Sequence, residues 1–125
     1  MGLFSRRRGR RDDAAPSAEP TGRAAQQATV DHLAEFVRSR VGVEAYVEPA
    51  TYVTQTTIML VATDGEWTRR RVPDGKAAGE VARKLGIPVY DVQRTGYPQR
   101  VRDWNTRQRI ERERAAKERA ARRDV

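Results

Sequence analysis

Residues 56–72 read TTIMLVATDGEWTRRRV, and the parsing of this stretch decides the fold. Ile58, Met59, Leu60 and Val61 are apolar without alternation, which is the pattern of a strand covered on both faces. Asp64-Gly65 follows, the preferred pair for a two-residue type I′ hairpin. Residues 56–63 and 66–72 therefore read as two antiparallel strands. In the second, alternation places Trp67, Arg69 and Arg71 on one face and Thr68, Arg70 and Val72 on the other.

Working outward, residues 43–47 are a further strand, interrupted at Pro49. Before it, Val30, Leu33, Ala34, Val37 and Val41 recur at helical spacing, with Thr29 as N-cap and Gly42 as the stop. On the other side, Asp74 caps a helix whose buried stripe is Ala77, Ala78, Val81, Ala82 and Leu85, and Gly86 ends it before Pro88. Residues 89–94 read as a fourth strand and Gly96-Tyr97-Pro98 as a turn. A last helix begins near Gln99, with Val101, Trp104 and Ile110 as its large apolar anchors. The spacing predicts an α+β fold of order α-β-β-β-α-β-α: a small, mostly antiparallel sheet of three to four strands, helices packed on it, and a basic C-terminal helix.

Three segments are expected along the chain. Residues 1–28 join an arginine run to Ala, Pro, Ser, Gly and Gln, with almost no large apolar side chains to offset ordering entropy, so they read as disordered. Residues 29–110 form the compact domain. Residues 111–125 lose the apolar stripe and read as a solvated charged helical tail, in which Glu113 with Lys117 and Glu118 with Arg122 stand at the favourable i,i+4 spacing. Residues 1–28 carry six Arg against three acids, residues 29–98 nine basic against nine acidic groups, and residues 99–125 ten against five. The net charge of +8 thus belongs to the ends, and attraction for nucleic acid or anionic lipid is expected there. Of the 25 basic residues 22 are Arg, a bias that phosphate recognition and GC-rich codon usage both produce.

Several functions lack their residues. Without cysteine there is no thiol nucleophile, thiolate metal site or disulfide framework, and His32 is the single histidine. Placed on the polar side of the first helix, His32 reads as a surface residue. Neither a dinucleotide-binding fingerprint nor a phosphate-binding loop is present, and Asp74-Gly75-Lys76 reads as a helix cap. No apolar run approaches the roughly twenty residues needed to cross a bilayer. The basic start is followed by no apolar stretch of the kind an export leader needs, and Arg6 occupies the place where a myristoylation signal has Ser or Thr. A cytoplasmic protein is expected, with no catalytic residues, metal or cofactor assigned.

Two surfaces could bind. Trp67 beside Arg69 and Arg71 makes a stacking and phosphate-binding patch, with an edge strand protected by charge as the other reading. Around the last strand and helix, Tyr90, Tyr97, Arg100 and Trp104 form a recognition cluster, or Trp104 and Tyr97 dock the helix, and docking is preferred because a helix with three anchors needs each of them. The candidate binding residues are thus Trp67, Arg69, Arg71, Tyr97, Arg100 and Arg107.

Residues 31–86, read as α-β-β-β-α, resemble a double-stranded-RNA-binding domain in element order. That resemblance implies RNA contact through the first helix, a hairpin loop and a lysine-rich start to the second helix, where this chain carries Lys76 alone. Separately, residues 54–67 with Val89-Tyr90-Asp91-Val92 and Gly96-Tyr97-Pro98-Gln99-Arg100 resemble a family of small uncharacterised proteins from high-GC Gram-positive bacteria, over about residues 30–108. The resemblance implies no particular activity; an oxidoreductase label attached to some members has no flavin or nicotinamide motif here to stand on.

The leading expectation is a non-catalytic binding or accessory protein that contacts RNA, DNA or a ribonucleoprotein through its basic tail and Arg-rich strand. A small enzyme or enzyme subunit, with a pocket near Tyr90 and Tyr97 completed by a protein partner or a second copy, is one alternative. The other is a peripheral membrane protein using Leu3, Phe4 and the arginine run, for which stable membrane association is not expected.

Overall fold

The computed structural model describes residues 22–124. Its elements are α1 (Arg23–Ser39), β1 (Glu44–Glu48), β2 (Thr57–Val61), β3 (Trp67–Arg71), α2 (Gly75–Leu85), β4 (Val89–Asp91), α3 (Val92–Thr95) and α4 (Gln99–Asp124). The α+β class and the element order are as expected, with one added helical turn, α3. The sheet order is β3-β2-β1-β4. β1 with β2 and β2 with β3 are antiparallel, whereas β4 lies parallel to β1, Tyr46 opposite Tyr90, so the sheet is mixed.

β2 is the central strand its sequence implied, buried from Ile58 to Val61. Alternation sends its side chains to two different cores. Ile58 and Leu60 join Leu33 and Phe36 of α1, Ala45 of β1, and Ala78 and Ala82 of α2 on one face. Met59 and Val61 join Tyr46, Trp67 and Val101 of α4 on the other. The small alanines of α2 bring its backbone close to the sheet.

Five local readings need correction. α1 starts at Arg23, not Thr29, so residues 23–28 are helical although they bury little; Ala and Gln favour a helix by themselves, and Gln27 donates to Asp31 at 2.9 Å one turn on. The disordered reading of residues 1–21 lies outside the described residues. The hairpin is not type I′, because Asp64 keeps a negative φ and Gly65 alone is positive, at 95°. Gly65 N–H donates to Ala62 O at 2.9 Å and Ala62 N–H to Glu66 O at 2.8 Å, giving a three-residue loop in which Gly65 takes the position that only glycine adopts freely. The fourth strand ends at Asp91 rather than Arg94, because the Asp91 carboxylate accepts Gln93 N–H at 2.8 Å and caps α3. His32 is half-buried rather than a surface residue. Finally, the pairs Glu113–Lys117 and Glu118–Arg122 do not close as ion pairs among the described residues.

The caps of α2 are as expected. Asp74 Oδ1 accepts Ala77 N–H at 2.8 Å, and at the far end Gly86 N–H reaches Arg83 O and Ile87 N–H reaches Ala82 O, both at 3.1 Å. Among the described residues no helix is long and apolar enough to cross a membrane.

Candidate nucleic-acid interface

The register brings Trp67, Arg69 and Arg71 onto one face of the sheet, as alternation requires, opposite Val61, Met59 and Thr57. There Trp67 and Arg69 meet α4 and the turn before it, whereas Arg71, at the strand end, borders the groove between the other two long helices. Arg69 forms a two-point contact with Glu48 across the sheet, Nε to Oε1 at 2.7 Å and Nη2 to Oε2 at 2.8 Å, while its guanidinium lies 5.0 Å from the Trp67 ring centroid. Glu48 also accepts from Thr57 at 2.6 Å and from the Tyr97 hydroxyl. Burial alone would raise the Glu48 carboxyl; the hydrogen bonds from Arg69, Thr57 and Tyr97 outweigh it and hold the group below its ordinary value. The same burial, reinforced by the anionic Glu48, pushes Tyr97 up.

Trp67 is half-buried and donates its indole N–H to Asn105 Oδ1 at 2.9 Å. Arg100 donates from Nε to Ala62 O at 3.0 Å and from Nη2 to Glu44 at 2.7 Å, which draws Glu44 below its usual range against the opposing effect of burial. Arg107 donates to Asp64 O at 2.8 Å and lies over Trp104. Trp67, Arg69, Tyr97, Arg100 and Arg107 thus make internal contacts that seat α4 and its preceding turn on the sheet. Arg71, at the end of β3, is half-buried beside the other helical layer.

A phosphate approaching Arg69 would have to displace Glu48, and two charge-assisted hydrogen bonds with it. The unoccupied cationic surface lies further along α4. With 3.6 residues per turn, Arg109, Arg112, Arg119 and Arg123 fall within an arc of about 80° and span about 21 Å. Ala116 completes the stripe, and Glu111, Glu113, Glu118 and Asp124 all fall outside it. All four arginines are exposed, and none makes a hydrogen bond or ion pair among the described residues. The tail reading had these residues only as part of a charged run; the spacing 109, 112, 116, 119, 123 was the signal that orders them into one face.

His32 is the other residue whose environment the sequence concealed. Arg70 Nη2 donates to its Nδ1 at 3.2 Å, so the ring proton sits on Nε2 and is donated to Thr68 Oγ1 at 2.8 Å. Burial first, then the nearby charges of Arg70 and Arg40, lower its pKa and keep the ring neutral. No group of three or more His, Cys, Asp or Glu side chains that could hold a metal ion occurs among the described residues.

No protein-family model, curated protein or solved structure matches this chain.

Proposed function

We propose that this is a small non-catalytic binding protein that contacts RNA, DNA or a ribonucleoprotein through the distal part of α4. The observation that carries the reading is the acid-free stripe of Arg109, Arg112, Arg119 and Arg123 on an exposed helix. Arginine forks suit phosphate oxygens, a helix fits the duplex major groove, and four side chains over about 21 Å can reach successive phosphates. The compact domain is the mount. Its sheet face holds the first turns of α4 through Val101, Trp67 and the Arg100 contacts, leaving the rest of the helix unencumbered. The Arg-rich strand takes a supporting role, since Arg69 is engaged by Glu48.

The test is binding of single- and double-stranded RNA and DNA across a salt series, by the full chain and by a version ending at Gln108, which keeps every docking contact described above. The full chain is expected to bind duplex with a steep salt slope, and the truncation to lower that slope by about three to four units, at about 0.9 per phosphate contact. Equal slopes for both chains would overturn the reading.

A further inference from the structure

On the opposite face of the sheet from α4, the first turns of α1 and the body of α2 stand apart and enclose an open groove of about 1080 Å³. Val30, Val72, Ala77 and Val81 supply apolar surface along it, and Arg23, Arg83 and Lys84 stand at its edges. Among the described residues Glu80 is the only acidic side chain that lines it. Arg23, Arg83 and Lys84 make no ion pair among the described residues.

The loop whose residues Ala50 and Thr54 line the groove is a hydrogen-bonded turn with apolar side chains at its tip. Thr51 Oγ1 accepts the N–H groups of Val53 at 3.2 Å and Thr54 at 3.1 Å, and Thr51 N–H donates to Thr54 O at 2.9 Å. This turn holds Tyr52 and Val53 out in solvent, 107% and 90% exposed, next to groove residues Ala50 and Thr54. A fixed turn that displays Tyr and Val costs solvation with no return inside the domain. Exposed aromatic and aliphatic side chains at the lip of a groove are what protein interfaces bury.

We propose that this groove docks an acidic amphipathic helix of a partner protein, its apolar side chains on the Val30–Val72–Val81 floor and its carboxylates on Arg23, Arg83 and Lys84. Charge complementarity selects the occupant: the rim is cationic, so the segment is acidic. The floor then separates a peptide from a nucleic acid. The groove lining itself carries no aromatic side chain to stack a base, Tyr52 standing only at its lip, and aliphatic surface gives a sugar-phosphate chain nothing to bond, whereas helix-in-groove recognition needs an apolar floor with charged edges. The site is separate from the α4 stripe, so the two surfaces can be occupied together and the protein would join an acidic partner to a nucleic acid.

The experiment is a titration of the full, isotope-labelled chain with a synthetic amphipathic peptide carrying Leu on one face and Glu on the other, followed by amide chemical shifts up to about 1 mM, the weak end of specific binding. Shifts are expected at Val30, Ala77, Val81 and Lys84 and at Tyr52–Val53, with the α4 amides unmoved. The double variant R83E/K84E, at two exposed positions, is expected to weaken binding at least tenfold, and Tyr52→Ser to weaken it severalfold. The proposal is overturned if no shifts occur, if the Lys-for-Glu counterpart of the peptide binds equally well, if R83E/K84E leaves affinity unchanged, or if a short RNA duplex moves the same groove amides.

Discussion

Replacing Gly65 by Ala tests how α4 is seated. A Cβ built at this position lies 2.0 Å from Arg100 O, 2.8 Å from Arg100 C and 2.9 Å from Trp104 Cβ, all of them in α4. Contacts under 3.0 Å are not tolerated, and the nearest obstacle is backbone, so the start of the helix has to retreat by about 1 Å or more. The positive φ of Gly65 adds about 1–2 kcal/mol for a residue with a side chain. A displaced α4 also gives up part of the burial of Val101, worth up to about 1.5–3 kcal/mol, and the Arg100 hydrogen bonds to Ala62 and Glu44, about 0.5–1.5 kcal/mol each. Partial loss of these gives an expected destabilisation of about 3–5 kcal/mol. Urea unfolding followed by tryptophan fluorescence measures it, with amide exchange of residues 100–108 reporting whether the helix remains seated. Gly79→Ala in α2 is the control: nothing lies within 4 Å of its Cβ, and helix propensity predicts a gain of about 0.8–1.0 kcal/mol. A loss under about 1 kcal/mol for Gly65→Ala, with α4 amides as protected as before, would refute this account of the seat.

Three other outcomes follow from the same contacts. His32 is held neutral in the folded state with a pKa below 6.5, so its contribution to stability is complete above pH 6.5 and is lost as pH falls through the folded value; His32→Gln should flatten the stability curve in that window, measured by urea midpoints between about pH 8 and about pH 5. Glu48→Gln removes the anion that Arg69, Thr57 and Tyr97 share, with an expected loss of about 2–3 kcal/mol at neutral pH; because the folded carboxyl lies below 4.5, that contribution stands above pH 4.5 and disappears on acidification, so parent and variant should converge in acid. Trp67→Phe keeps the ring but loses the bond to Asn105, and a double-mutant cycle with Asn105→Ala should give a coupling of about 1 kcal/mol.

The fold was legible because its strongest signals are local. The unalternating run at 58–61, the cap at Asp74 and the stop at Gly86 each act over a few residues, and each appears where the chemistry demands. The hairpin at Asp64-Gly65 was legible as a turn but not in its type. Pair preference does not reveal that α4 packs against the loop, leaving room there only for a residue without Cβ. The parallel placement of β4 was hidden too, since three residues carry no sign of strand direction. At the candidate site, alternation assigned Trp67 and Arg69 to one face, while Arg71 at the strand end borders the groove on the other side, and no sequence rule pairs Arg69 with Glu48, 21 positions away. Long-range pairing decided which arginines are engaged, and so narrowed the candidate surface from the basic tail and the Arg-rich strand to one face of the distal part of α4. His32 was misread for the same reason: its partners Thr68 and Arg70 lie on a strand that helical periodicity cannot see.

In the proposed function one face of α4, rather than total charge, contacts nucleic acid. The most direct measurement compares the duplex-binding salt slope of the full chain with two variants, one with Arg109, Arg112, Arg119 and Arg123 changed to Gln and one with Arg114, Lys117 and Arg122 changed to Gln. The first variant is expected to lose about three to four units of slope and most of its affinity, and the second less than about one unit. Equal losses per charge removed from either set would contradict it and leave only nonspecific attraction to a basic tail.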